Sequence, residues 1–347
     1  MRGALGKYVI SIALGGVLVW LAFRGQDWDD FYQRLQTVRT GPILAYLGLF
    51  AAAHLLRIIR WGVLVRALGD IGWKDIMSAG AVGYMCIMVF PLRLGELVRP
   101  YLVRGVGGIT ASGALATVVV ERVIDGLLFV ALFFVFISLL PDSPDPAVAA
   151  VKMSAFAAGG VFITALVVLV AAYYKRDATV AFVEKVGHRL HAGITDKLVG
   201  LLDAFLEGLR VLPDKRRLGV FFVLTVIYWA ALGVGMKVMA EGTHIPDLDW
   251  VGGFALLTVL TVGIMIPAGP GFTGTFELAM KGGFALLILA PSSMANITLY
   301  TVMLHISQLV IQVSFGAVFL LSGQIRLSDL GAAGGLTSQE TGREPGT

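Results

Sequence analysis

Residues 91–108 read PLRLGELVRPYLVRGVGG and residues 267–277 read PAGPGFTGTFE, and these two stretches decide the fold. Both put proline and glycine inside otherwise apolar runs, where neither residue sustains a straight helix. The runs they divide, 76–103 and 250–289, therefore read as broken hairpins rather than plain crossings. Other apolar stretches supply the crossings: 5–23, a run from about 42, 110–140, 147–174, 218–240 and 295–321, against the roughly 20 residues a bilayer requires. The first sits beside Arg2 and Lys7 and lacks a small-residue cleavage site, so it reads as an uncleaved span.

Charge sets the direction of each crossing. Arg57, Arg60, Arg66 and Lys74 crowd the far end of the second span, which places that end in the cytoplasm. The acidic PDSPDP at 141–146 suits the outer side, as does EGTHIPDLD at 241–249, which has no Lys or Arg. With 140 outside and 104 inside, 76–103 has to enter and leave on the cytoplasmic face. By the same count, 250–289 enters from outside.

The expectation is an all-α polytopic membrane protein with about six full spans and two oppositely oriented re-entrant helical hairpins, the arrangement of an inverted repeat. Residues 1–327 form one transmembrane domain. Within it, 175–217 is a cation-rich, amphipathic cytoplasmic segment, and 328–347 is a disordered cytoplasmic tail. Both termini are expected in the cytoplasm, in a bacterial or archaeal inner membrane.

Composition agrees. The 347 residues are 57% hydrophobic and 14% charged, with a mean hydropathy of +0.83, outside the range of water-soluble domains. The net charge of +4 lies in loops between spans, where it orients the chain rather than binding nucleic acid. Cys86 has no partner for an intramolecular disulfide. No phosphate-binding lysine motif, nucleophile elbow or paired CxxC occurs, so neither ATP-driven transport by this chain alone nor a cofactor or catalytic residue is expected. His188 and His191 lack a third metal ligand, and no metal is expected.

An ionisable group at membrane depth costs about 2.5–3.5 kcal/mol and needs a partner or a polar cavity. Three clusters stand out. Arg93, Glu96 and Arg99 combine two cations with one anion in the first break, which either leaves a guanidinium for phosphate or carboxylate or pins the hairpin internally. Glu121, Arg122 and Asp125 lie mid-span, as an internal salt bridge or as part of a transport or proton site. In the second break Gly269, Gly271 and Gly274 allow close backbone approach, Thr273 or Thr275 can cap the following helix, and Glu277 falls in its first turn, where the helix dipole favours a carboxylate and Lys281 can satisfy it. Arg57 and Arg60, with Trp61, read as an interfacial anchor that can also feed headgroups toward the first hairpin. His54 and His305 read as buried hydrogen-bonding residues.

At FPLRLGELVRPYLV, TVVVERVIDGL and PAGPGFTGTFE the chain resembles the lysylphosphatidylglycerol synthase transmembrane, or flippase-like, family. The resemblance covers about 44–321 and maps the family pattern onto Arg93, Gly95, Glu96 and Arg99, onto Glu121, Arg122 and Asp125, and onto Pro270, Gly271, Gly274 and Glu277. Phe272 and Thr273 stand where relatives often carry glycine. The best-understood relatives join this module to a cytosolic aminoacyl-transferase domain. Only a short tail is expected after 321, so the synthase activity is not expected here.

The resemblance and the buried charge together imply a lipid flippase or transporter, with Arg93 and Arg99 binding an anionic headgroup between the hairpins. Its partners would be membrane lipids and a separate lipid-modifying enzyme. The alternatives are a membrane glycosyltransferase, with Asp27, Asp29 and Asp30 holding a divalent cation, and a scaffold for a lipid-modifying partner.

Overall fold

The computed structural model describes residues 2–139, 174–187, 215–265, 269–287 and 294–325, with scattered positions from 153 to 171 and positions 199 and 206. Among these residues the secondary structure is helical throughout. The helices are α1 (Arg2–Phe23), α2 (Trp28–Gln36), α3 (Thr40–Val65), α4 (Trp73–Val89), α5 (Val98–Leu102), α6 (Ala111–Leu139), α7 (Arg176–Gly187), α8 (Lys215–Gly242), α9 (Trp250–Gly263), α10 (Thr275–Leu286) and α11 (Met294–Leu321). The expected acidic loop at 141–146, the 188–214 part of the amphipathic segment apart from positions 199 and 206, and the 328–347 tail lie outside the described residues.

Helices α3, α8 and α11 have 26, 28 and 28 residues and are apolar enough to cross a membrane. At 1.5 Å per residue each is roughly 40 Å long, more than a hydrocarbon core of about 30 Å. Their outer faces present apolar side chains to the surroundings: Leu44 is 66% exposed, Phe222 53% and Val318 63%. Water would penalise such a surface; acyl chains do not. The protein is a multi-pass helical membrane protein.

Helices α3 and α8 pack along one core, where Tyr46, Phe50, Tyr228, Trp229 and Met236 are buried together. Small residues bring the backbones close: a Cβ added at Gly242 would lie 2.6 Å from Ile43 Cδ1. Short polar caps start two of the shorter helices. Asp27 accepts from the Asp29 and Asp30 amides to cap α2, and Asp249 accepts from the Gly252 amide to cap α9.

Two reversals shape the centre. After α4 a 3₁₀ turn at Pro91–Leu97 folds α5 back, and the Arg99 stem lies over Gly83. Gly95 makes the reversal possible, because a Cβ there would fall 2.1 Å from the Ile87 amide nitrogen and 2.3 Å from the Cys86 carbonyl carbon. Gly95→Ala is expected to destabilise the protein by about 1–3 kcal/mol through overpacking, measurable as a lower melting temperature in detergent. The second reversal is α9, the turn at Pro270–Phe272, and α10. Its arms are antiparallel, since Gly263 faces Ala279 while Leu256 faces Gly283.

Helix α11 runs past both hairpins. Tyr300 packs on Phe284 and His305 on Phe276, Leu309 approaches Gly271, Gln312 reaches Met88, and Gly316 meets Met85. The contacts descend α10 toward its start and then ascend α4 away from its end. The hairpins therefore approach from opposite ends of α11 and meet tip to tip near its middle.

Candidate functional site: a charged cavity at the hairpin tips

Four arginines and two carboxylates converge where α3, α5 and α6 meet. Glu121 and Asp125, one turn apart on α6, share a face, and the fully buried Arg60 of α3 forks across both. Its Nη1 donates to Asp125 Oδ1 at 2.6 Å, and its Nη2 to Asp125 Oδ2 and Glu121 Oε1, each at 2.8 Å. Arg99, also fully buried, donates to Glu121 Oε2 at 3.1 Å and to the Tyr84 hydroxyl at 2.6 Å. Arg122 Nη2 reaches Glu121 at 3.1 Å and Asp125 at 3.6 Å. Trp229 donates to Asp125 Oδ1 at 3.0 Å, and Thr225 accepts from Arg60 at 3.1 Å. Glu121 is the hub, touching three guanidinium groups.

The fourth arginine differs. The Arg57 guanidinium carbon lies 3.9 Å from the Tyr84 ring centroid, a cation–π contact. Among the described residues no acceptor pairs with it. Arg57, Arg60, Arg99 and Arg122 against Glu121 and Asp125 leave two positive charges in excess.

This excess borders a cavity of about 600 Å³, lined by Arg57, Arg93, Glu96, Arg122 and Asp125 on its polar side. Phe129, Trp229, Leu232, Met236, Leu257 and Leu260 form much of its apolar wall. Both hairpin tips reach it. Arg93 donates through Nε to Glu96 at 3.0 Å and through Nη1 to the Ile264 carbonyl at 3.2 Å, and lies 5.3 Å from the Phe272 ring. Arg93 and Phe272 both adopt left-handed backbone, φ +58° and +62°, a strained state for residues with a Cβ. The two tips are clasped by their two strained residues.

In the second tip the turn rests on Glu277 and His305. Glu277 Oε2 accepts from the Gly274 amide at 2.6 Å, reaching back to the start of α10. Its Oε1 meets His305 Nδ1 at 2.6 Å, and His305 Nε2 meets the Gly271 carbonyl oxygen at 2.7 Å. Gly274 has φ +92°, and a Cβ there would also strike Leu18 of α1 at 2.4 Å.

Several sequence expectations change. Arg60 is not an interfacial anchor but lies wholly inside the protein, because two carboxylates compensate its burial. Arg57 is half-buried at the cavity, and Trp61 is buried, donating to Thr117 at 3.2 Å. Arg93, Glu96 and Arg99 are not one cluster: Arg93 keeps Glu96, while Arg99 turns away to Glu121 and has no exposed surface for a headgroup. Lys281 does not pair with Glu277; its Nζ points to the Ala22 carbonyl of α1 at 3.4 Å. Thr273 and Thr275 do not cap α10, since their hydroxyls bond the Pro270 and Phe272 carbonyls. Asp27 caps a helix and Asp30 pairs with Arg34 at 2.8 Å, and among the described residues no three His, Cys, Asp or Glu converge as metal ligands.

Sequence reasoning missed Tyr84, Trp229, Gln308 and Gln312. The glutamines line the cavity with a visible signal: with Thr301 and His305 they form a polar stripe at three- and four-residue steps along a membrane-spanning helix.

Fold and cavity define a multi-pass helical membrane protein with a charged, amphiphilic chamber at the meeting of two broken segments. The chain belongs to the Lysylphosphatidylglycerol synthase TM region family, which it matches over residues 8–316. It is also similar to Glycosyltransferase AglD of Haloferax volcanii, at 24% identity over 314 residues, covering 81% of this chain and 50% of that protein. The chain thus spans about half the length of the curated relative it matches.

Proposed function

We propose that this protein is a lipid transporter that moves an anionic phospholipid or glycolipid headgroup across the membrane through the cavity at the hairpin tips. The observation that carries this reading is Arg57, a guanidinium that has no acceptor among the described residues and faces a roughly 600 Å³ chamber whose other wall is apolar. An arginine fork donates two parallel hydrogen bonds to a phosphate, and the apolar wall suits the glycerol and first acyl carbons. Arg122, with 29% of its side chain exposed, and Arg93, with 23%, provide further donors. Glu96 and Asp125 limit the positive field, so that a bound anion can leave again.

In this reading the two hairpins are re-entrant, the first from the cytoplasm and the second from outside, in an inner membrane with both termini cytoplasmic. Membership of a lipid-related transmembrane family supports it. The test is reconstitution into liposomes with fluorescent lipids and an impermeant quencher. Anionic headgroups are expected to cross on the order of tenfold faster than zwitterionic ones, the ratio that about 1.4 kcal/mol of selective stabilisation gives. Equal rates for all headgroups, or no movement of any, would contradict it.

A second reading, a membrane glycosyltransferase using a lipid-linked sugar, is favoured by the name of the relative AglD. That protein is about twice the length of the matched region, so its named activity can reside in the part this chain does not cover. Formation of a glycolipid from a lipid-linked sugar by the purified protein would favour this reading over transport.

A further inference from the structure

We propose that Glu277 and His305 form a proton-binding site whose occupancy fastens the second hairpin tip to α11. The hydrogen bonds fix the proton count. The Gly271 carbonyl has no proton to give, so His305 Nε2 must donate to it across 2.7 Å. Glu277 Oε2 accepts from the Gly274 amide, leaving Oε1 against His305 Nδ1 at 2.6 Å. One proton has to lie between those two atoms, as imidazolium facing carboxylate or as imidazole facing carboxylic acid. In both forms the pair holds one proton more than a neutral histidine beside an ionised glutamate.

Loss of that proton to water leaves a neutral ring with one N–H and two acceptors to serve. If Nε2 keeps it, a lone pair faces the carboxylate; if Nδ1 keeps it, a lone pair faces the Gly271 carbonyl. One of the two bonds therefore breaks. Both bonds tie the second tip to α11, through Glu277 at the start of α10 or through Gly271, so the loss of either loosens the turn that carries Phe272, the strained cavity residue under Arg93. The ring is held in place, stacked on Phe276 with centroids 4.1 Å apart, and is buried, with 6% of its surface exposed.

The surroundings leave the pair to itself. Lys281 on α10 points to Ala22, and Arg93 of the first tip is held by Glu96 and Ile264. Tyr46 of α3 is bonded by Gln308, and Tyr300 of α11 donates to the Met236 carbonyl. Among the described residues, no other charged side chain forms an ion pair with Glu277 or His305. The proton site rests on this geometry alone; its link to lipid movement rests on the proposed function.

The test is a nitroxide spin label at Thr273→Cys, in a Cys86→Ala background in liposomes, with label mobility recorded from about pH 5 to about pH 8. The mobile fraction is expected to rise about twofold or more with pH in the parent. Glu277→Gln, whose amide donates to Nδ1 without a titratable proton, should stay immobile throughout. His305→Gln should be mobile throughout. A pH-independent parent, or a Glu277→Gln variant that loosens with pH as the parent does, would overturn the proposal. Because mobility is read without lipid transport, absence of translocation with an intact pH response would count against the transporter and not against the proton site.

Discussion

Glu121→Gln is expected to lower the melting temperature of the purified protein by roughly 10 °C and to cut its folded yield sharply. Glu121 touches Arg60, Arg99 and Arg122 at 2.8, 3.1 and 3.1 Å, and its side chain has no exposure. Removing its charge leaves Asp125 alone against four guanidinium groups, two of them fully buried. Breaking a buried pair typically costs about 3–5 kcal/mol, a large part of a total stability near 5–15 kcal/mol. Pairing the substitution with Arg99→Met removes one of the stranded cations and is expected to recover part of the loss. Thermal unfolding in detergent measures both; a Glu121→Gln protein that melts like the wild type would show that the network does not bind the helices together.

Arg57→Gln is expected to do the reverse: keep the fold and lose the function. Among the described residues no acceptor holds Arg57, and it sits beside a network of three arginines and two carboxylates that is already one charge positive. Neutralising it removes a cation–π contact worth about 0.5–2 kcal/mol and relieves repulsion from Arg122, so the melting temperature should change little. A charge-assisted hydrogen bond to a substrate anion contributes about 1.5–3 kcal/mol, which corresponds to a loss of roughly 10- to 150-fold in translocation. Arg57→Lys, which keeps the charge without the planar fork, should fall between. Unchanged translocation by Arg57→Gln at normal folded levels would remove Arg57 from the site.

The two breaks are legible in the sequence because proline and glycine act on the backbone locally: Pro91 and Gly95 mark the first reversal, while Pro100 falls in the first turn of α5, and Pro270, Gly271 and Gly274 mark the second. That charged residues gather near these breaks follows equally from the cost of charge at membrane depth. Which cation meets which anion does not follow. Spacing rules see one helix at a time, so they pair Arg99 with Glu96 and Lys281 with Glu277. In the folded bundle Arg99 finds Glu121 across helices and Glu277 finds His305, 28 residues away. Arg60 is the extreme case, an arginine near a cation-rich end of a span that reads as a surface anchor and lies at the centre of the protein. Within the cluster, Arg57 is seen to lack an acceptor among the described residues only after Arg60, Arg99 and Arg122 have found theirs.

Passage of headgroups through the cavity at the hairpin tips can be tested by obstructing that cavity. Thr261→Cys lines the cavity and Leu44→Cys faces outward, 66% exposed; both are made in a Cys86→Ala background and treated with a negatively charged thiol reagent in liposomes. Modification at position 261 is expected to slow translocation of an anionic lipid by about tenfold or more, while modification at position 44 leaves the rate unchanged. Equal rates after complete modification at position 261 would contradict passage through this cavity.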